Sequence, residues 1–240
     1  MTRRRVMGID GCPTGWMAVS IAAEGPLEPE IFIAPRFAQL VEMTDNVILA
    51  VDMPIGLPDA IGPEGRGPEK RVRQKLAQRQ SSVFSVPSRS AVMTTDYREA
   101  CAVAGATSTP PRRVAKQCFH IFPKIREIDA LMSPALEARV FEAHPELAFW
   151  RLNGSAAMAL PKKVKSRPNP AGLDERRSLL VRHGYRAESL QSAPRGAAAD
   201  DLLDAAACAL IARRILRGEA ESFPSPPTRD ARGLRIAIWA

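Results

Sequence analysis

Over the first fifty residues the apolar positions change their spacing several times. "RVMGID" is a short apolar run ending on Asp10, "GWMAVSIAA" follows a glycine-containing turn, and "PEIFIA" follows another turn at Gly25 and Pro26. Each reads as a strand bounded by turn residues. "FAQLVEM" carries a helical stripe. "NVILAVDMP" is a near-continuous β-branched run, the pattern of a strand covered on both faces. The predicted order is β-β-β-α-β. Hairpin-linked strands followed by a buried strand after a crossover helix imply a mixed sheet with helices packed on it.

From residue 53 to about 135 that pattern breaks. Proline and glycine are dense in "MPIGLPDAIGPEGRGPE", and "TSTPP" marks a second break. Pro68 is placed to start one short helix and Thr95 to cap another, so the segment reads as a helical insertion. Beyond it, "ARVFEAHPELAF" reads as a strand turning into a helix at Pro145. "PKKVKSRPNP" is a basic loop, and "DERRSLLVRHG" a short helix closed by Gly184. A long helix is predicted from about Ala199 to Arg217, ended by Gly218. "GLRIAIWA" follows as a short strand or an extended docking segment.

The long helix opens "AADDLLDAAACALIA". Asp200 suits an N-cap, and acids in a first turn complement the helix dipole. At 100° per residue, however, Asp204 falls between Asp200 and Asp201 on one sector of an otherwise apolar helix. Like charges so placed raise one another's pKa unless a cation neutralises them. Capping and a metal site both remain open from this stretch alone.

At 240 residues with 45% hydrophobic and 25% charged positions, the chain is ordinary for a globular protein with a sizeable core. No apolar run reaches the ~18 residues of a membrane span, and the basic start "MTRRRVMGIDG" lacks the apolar stretch of a secretion signal. Cys12, Cys101, Cys118 and Cys208 form no CxxC pair, so a reducing cytoplasm is the expected compartment. The net charge of +8 is concentrated. Residues 61–126 hold 13 Lys/Arg against 4 Asp/Glu, and the remainder holds 21 against 22. That segment has the charge of a clamp for a polyanion, although a solvated basic surface would read the same way.

Asp10 ends the first strand, Asp52 the fourth and Glu142 a later one, while Asp201 and Asp204 open the long helix. Carboxylates at the ends of core elements can converge on one point. Hard divalent ions take such oxygen ligands, and two ions can clamp the attacking and leaving oxygens of a phosphodiester. In this order, "GIDGCPTGW", "VDMPIGLP", "QSSVFSVPSR", "FPKIREID", "FEAHPE" and "ADDLLDA" resemble the DUF429 family, predicted nucleases of the ribonuclease H-like fold. The resemblance covers nearly the whole chain. It implies one α/β domain over residues 1–240 with a β-β-β-α-β-α-β-α mixed sheet, helices on both faces, and the basic helical insertion at 53–135. It also implies a two-metal-ion nuclease using Mg²⁺ or Mn²⁺, with Asp10, Asp52, Asp201 and Asp204 as ligands and Glu142 beside them as a further catalytic acid. The partner so implied is a nucleic acid of unspecified type, with no membrane. Two departures from the family pattern are "LAQRQSS", which keeps only Arg79 before the paired serines, and "PKK" in place of "SKK".

Other groups admit two readings each. Ser81, Ser82 and Arg89 flank an apolar "VFSVPS" and either bind phosphate or hold a turn. His144 is a ligand, a proton shuttle or a helix-entry residue. Glu146 orients Lys162 or caps its own helix. Lys124 and Arg126 precede Asp129, where i,i+3 pairing would account for Arg126. Lys162, Lys163 and Lys165 suit phosphate contact or plain exposure. Cys12 and Cys208 read as buried packing residues. Aromatic residues make up 5%, little for a stacking platform. Two rival functions remain: an actin-like nucleotide binder, although 240 residues are few for two duplicated halves, and a non-catalytic binding module. No GxxxxGK[ST] loop is present.

Overall fold

The computed structural model describes residues 4–44 and 46–240, so the basic start at residues 1–3 lies outside it. Strands β1 (Arg5–Cys12), β2 (Gly15–Ala22) and β3 (Glu30–Ala34) form an antiparallel meander, followed by helix α1 (Phe37–Glu42) and strand β4 (Ile48–Val51). The segment expected as an insertion carries helices α2 (Pro68–Leu76), α3 (Arg89–Val92), α4 (Tyr97–Ala106), α5 (Lys116–His120) and α6 (Phe122–Leu131). The chain then re-enters the sheet as β5 (Val140–Glu142) and continues into α7 (Pro145–Leu152). A short hairpin, β6 (Lys163–Val164) and β7 (Arg167–Pro168), leads into α8 (Pro170–Arg182) and α9 (Ala199–Leu216). A terminal antiparallel pair follows, β8 (Ser222–Arg229) and β9 (Arg235–Trp239).

The central sheet is mixed, in the order β3-β2-β1-β4-β5, with β4 parallel to both β1 and β5. Strand periodicity divides its side chains between two cores. Val6, Cys12, Met17, Val19, Ile21 and Ala50 pack beneath α7, α8 and α9. Met7, Ile9, Trp16, Ala18, Leu49 and Val51 pack with α1 and with α3 to α6 on the opposite face. Helices α3 to α6 of this segment are therefore a layer of the second core, whereas Val72 and Leu76 of α2 pack in the first. Ala100, Cys101, Cys118, Phe122, Ile125 and Ile128 are all buried in the second. Among the described residues no helix is long and apolar enough to cross a membrane.

Several boundaries differ from the sequence expectations for local reasons. Asp96, not Thr95, caps α4: its carboxylate accepts from the Arg98 and Glu99 amides at 2.9 Å each. The helix expected from Asp174 begins at Pro170, with proline in the first turn, where its missing N–H costs nothing. Asp200 is not the N-cap of α9. That position is Ala198, and its amide is satisfied by Asp201 Oδ2 at 2.8 Å. β8 was hidden in "SFPSPPTR", where three prolines mask a strand that needs only one paired edge.

Candidate active site

Asp10 lies on β1, and the Asp52 amide extends the neighbouring ladder by donating to the Ile9 carbonyl at 2.9 Å. Counting by twos from Val6 and from Ala50 puts both carboxylates on the α9 face. α9 lies close against that face because residue 8 is glycine. A Cβ there would strike the backbone of Ala205, Cys208 and Ala209. The first turns of α9 thus bring Asp204 to the two strand-end acids, with Cys208 buried below.

Burial raises the Asp10 pKa well above its ordinary value, and Asp52, Asp204 and Asp201 push it further. Burial and Asp204 push Asp52 up to about 8. Side-chain contact with Asp10 works against that rise at Asp52. Asp204 is pushed up to about 6 by burial, with Lys162 opposing.

The cations on the α9 acids come from the basic loop. Lys162 Nζ forms an ion pair with Asp204 Oδ2, and Lys163 Nζ pairs with Asp200 at 2.6 Å. Burial alone would lower the Lys162 pKa, but Asp204 and Glu146 outweigh it and hold the ammonium charged. Asp201 uses one oxygen on the Ala198 amide and sits half-buried at the rim. Asp204 Oδ1 is buried without any hydrogen-bond partner.

Glu142 lines one cavity with Asp10 and Asp52 and raises the Asp52 pKa, but from the other face of the sheet. It is in register with Val51, so it points to the face opposite Asp10 and Asp52. There Arg66 holds both its oxygens and the Ile55 amide donates to it at 2.8 Å. Burial still pushes it up to about 7. Both oxygens of Glu142 are thereby engaged within the protein.

Two adjoining cavities open at these strand ends. One, ≈ 190 Å³, is lined by Asp10, Asp52, Glu142, Lys124 and His120 among others. The second, ≈ 390 Å³, is lined by Arg79, Glu146, Lys162, Lys163 and Asp200. Asp52, Ser82, Phe84 and His144 border both. Lys124 reaches the first across Gly11, lies 4.4 Å above the Trp16 ring and donates to the Gly15 carbonyl at 2.6 Å. Burial lowers its pKa. Burial also lowers His144 to about 4, and its Nδ1 has no partner. Ser82 Oγ closes a turn by donating to the Arg79 carbonyl at 2.8 Å.

The remaining candidates lie elsewhere or are engaged internally. Arg89 pairs with Asp129 and, at 2.5 Å, with Asp230, and lines neither cavity. Arg126 does not pair with Asp129. It donates to the Val92 and Thr94 carbonyls at 3.0 and 2.7 Å, closing the end of α3. Glu146 is held by both contacts from the fully buried Arg176, at 2.6 and 2.9 Å. Arg66, Arg79, His120 and Phe84 reach the cavities unforeseen. Their sequence context is shared by many insertion residues, and only the packing of α2, α5 and the turn at 77–82 selects them.

Among the described residues, no group of three or more His, Cys, Asp or Glu stands ready to hold a metal ion. The donor chemistry of Asp10 and Asp52 nevertheless fits one: two neighbouring carboxylates whose charges raise the Asp10 pKa and which line one cavity. Asp204 adds one unpartnered oxygen.

A mixed sheet with buried acids at the ends of adjacent parallel strands defines an α/β protein with a polar strand-end site. The profile of the family described as "Protein of unknown function (DUF429)" matches residues 8–229, and the chain belongs to that family. No curated protein and no solved structure matches it.

Proposed function

We propose that this chain is a metal-dependent nuclease of the ribonuclease H-like fold, hydrolysing nucleic-acid phosphodiester bonds in a reducing cytoplasm. The observation that carries the reading is the Asp10–Asp52 pair. Asp10, buried, and Asp52, half-buried, stand at the ends of neighbouring parallel strands with raised pKa values and line one cleft. The strand order β3-β2-β1-β4-β5 supports the same reading.

Asp10 and Asp52 would hold Mg²⁺ or Mn²⁺, with Asp204 Oδ1 available to it. Bound there, the ion lowers the pKa of water and neutralises phosphate charge. Hydrolysis joins the water oxygen to phosphorus and breaks the bond to the leaving oxygen. One proton must leave the water, and one must reach the leaving oxygen. His144 is neutral down to about pH 4 and borders both cavities, so it adds no charge to the wall beside Asp52. Arg79, Lys124 and Lys163 line the walls where phosphates of the substrate would pass.

The test is cleavage of a panel of single-stranded, duplex and junction DNA and RNA in Mn²⁺. The expected result is cleavage that chelation stops and that Asp10→Asn or Asp52→Asn slows by roughly 10²-fold or more, the scale of losing transition-state charge stabilisation. Undiminished cleavage by Asp10→Asn contradicts the proposal. Salt-sensitive binding without cleavage replaces it with the binding-module reading.

A further inference from the structure

The Lys162 backbone is unusually well anchored for a residue in a basic loop. The Ala159 and Leu160 amides both donate to Glu175 at 2.9 Å. The Leu160 carbonyl accepts from Arg176 at 2.9 Å, and the Pro161 carbonyl from Asn169 Nδ2 at 2.8 Å. The Lys162 carbonyl itself accepts from the Asn169 amide at 2.7 Å. Gly172 lets α8 approach so closely that any Cβ there would strike the Pro161 carbonyl. Residues 159–162 are thus clamped in succession, and the side chain of the last of them, Lys162, enters the acid cluster. The Lys162 side chain is 19% exposed against 49% for Lys163, and it borders the second cavity together with Asp52.

We infer that Lys162 is the resident second cation of this site, so that the cluster takes up one divalent ion and not two. The inference rests on the metal-dependent reading above. Asp10, Asp52 and Asp204 carry three negative charges when ionised. One divalent ion and one ammonium neutralise them, whereas two divalent ions beside that ammonium would leave an excess of two positive charges in a buried site. Asp200 carries Lys163, and the charge of Asp201 at the rim is matched by Lys124, on which Asp10 and Asp201 both act. A preassembled ammonium contributes fixed charge without being recruited from solution, and it borders the wall along which a phosphate would lie.

The experiment is calorimetric titration of Mn²⁺ into wild type, Lys162→Met and Lys162→Arg, each first checked for a cooperative thermal transition. The expected result is one ion for wild type and for Lys162→Arg. Lys162→Met, which leaves Asp204 without its cation, should take up a second ion or bind the first at least tenfold more tightly. Two ions in wild type, or unchanged stoichiometry and affinity in Lys162→Met, would overturn the inference while leaving the metal-dependent reading intact. No Mn²⁺ bound by any of the three would overturn both.

Discussion

Three aspartates near the start of α9 have three different fates, decided by a neighbour in each case. Asp200 meets Lys163, Asp201 meets the Ala198 amide, and Asp204 meets Lys162. The sequence pattern showed that these charges needed compensation, but not that the compensating cations come from the chain's own loop some forty positions earlier. Asp10 and Asp52 were legible because acids at the ends of apolar runs are conspicuous. Glu142 looked equivalent and is not, since one step of strand register turns it to the other face. The Asp10–Asp52 pair also fixes a pH dependence. The folded-state pKa of Asp52 lies near 8, above its ordinary carboxylate value. Its contribution to stability is therefore fully present below about pH 4 and is lost as pH rises through about 8. In chelator, Asp52→Asn is expected to melt higher than wild type at pH 8, with the gap closing toward pH 4. A gap that widens on acidification would contradict the assigned burial.

The contact that assembles the site is between whole elements, β1 and α9. Long strands with continuous apolar character and the alanine-rich helix were read correctly from their periodicity, because both bury nearly every side chain. Their mutual approach was not legible, since it depends on Gly8, an unremarkable glycine within "RVMGID". Gly8→Ala would drive a methyl group into the α9 backbone, which cannot yield as a flexible side chain would. The expected cost is about 1–3 kcal/mol or more in urea unfolding. Mn²⁺ affinity should fall as well, because Asp204 moves away from Asp10. A variant as stable as wild type would show that α9 packs less closely than described.

At the scale of the molecule, the two cores on the two faces of one sheet divide the labour. The face under α9 carries Asp10 and Asp52, and the opposite face is covered by α1 and by helices α3 to α6 of the basic segment. Residues 53–135 read as basic and helical in the sequence, and helices α2 to α6 fall in that range. A uniform polyanion clamp does not follow, because much of that charge is internal. Arg66 neutralises Glu142, Arg89 neutralises Asp129 and Asp230, and Arg126 ties off α3. Such long-range pairings have no local signature, so charge counting alone overstated what the insertion offers to a ligand. Arg66, Arg79 and Lys124 of that segment line the cavities, joined by Lys162 and Lys163, and of these Arg66 and Lys162 are already paired with Glu142 and Asp204. The account depends most on a divalent ion binding at Asp10 and Asp52. Crystals soaked in Mn²⁺ and measured at a wavelength where manganese scatters anomalously test this without any choice of substrate. The account expects an anomalous peak in contact with both Asp10 and Asp52, absent from Asp10→Asn crystals. A featureless site in wild type, or manganese bound only elsewhere, would contradict it.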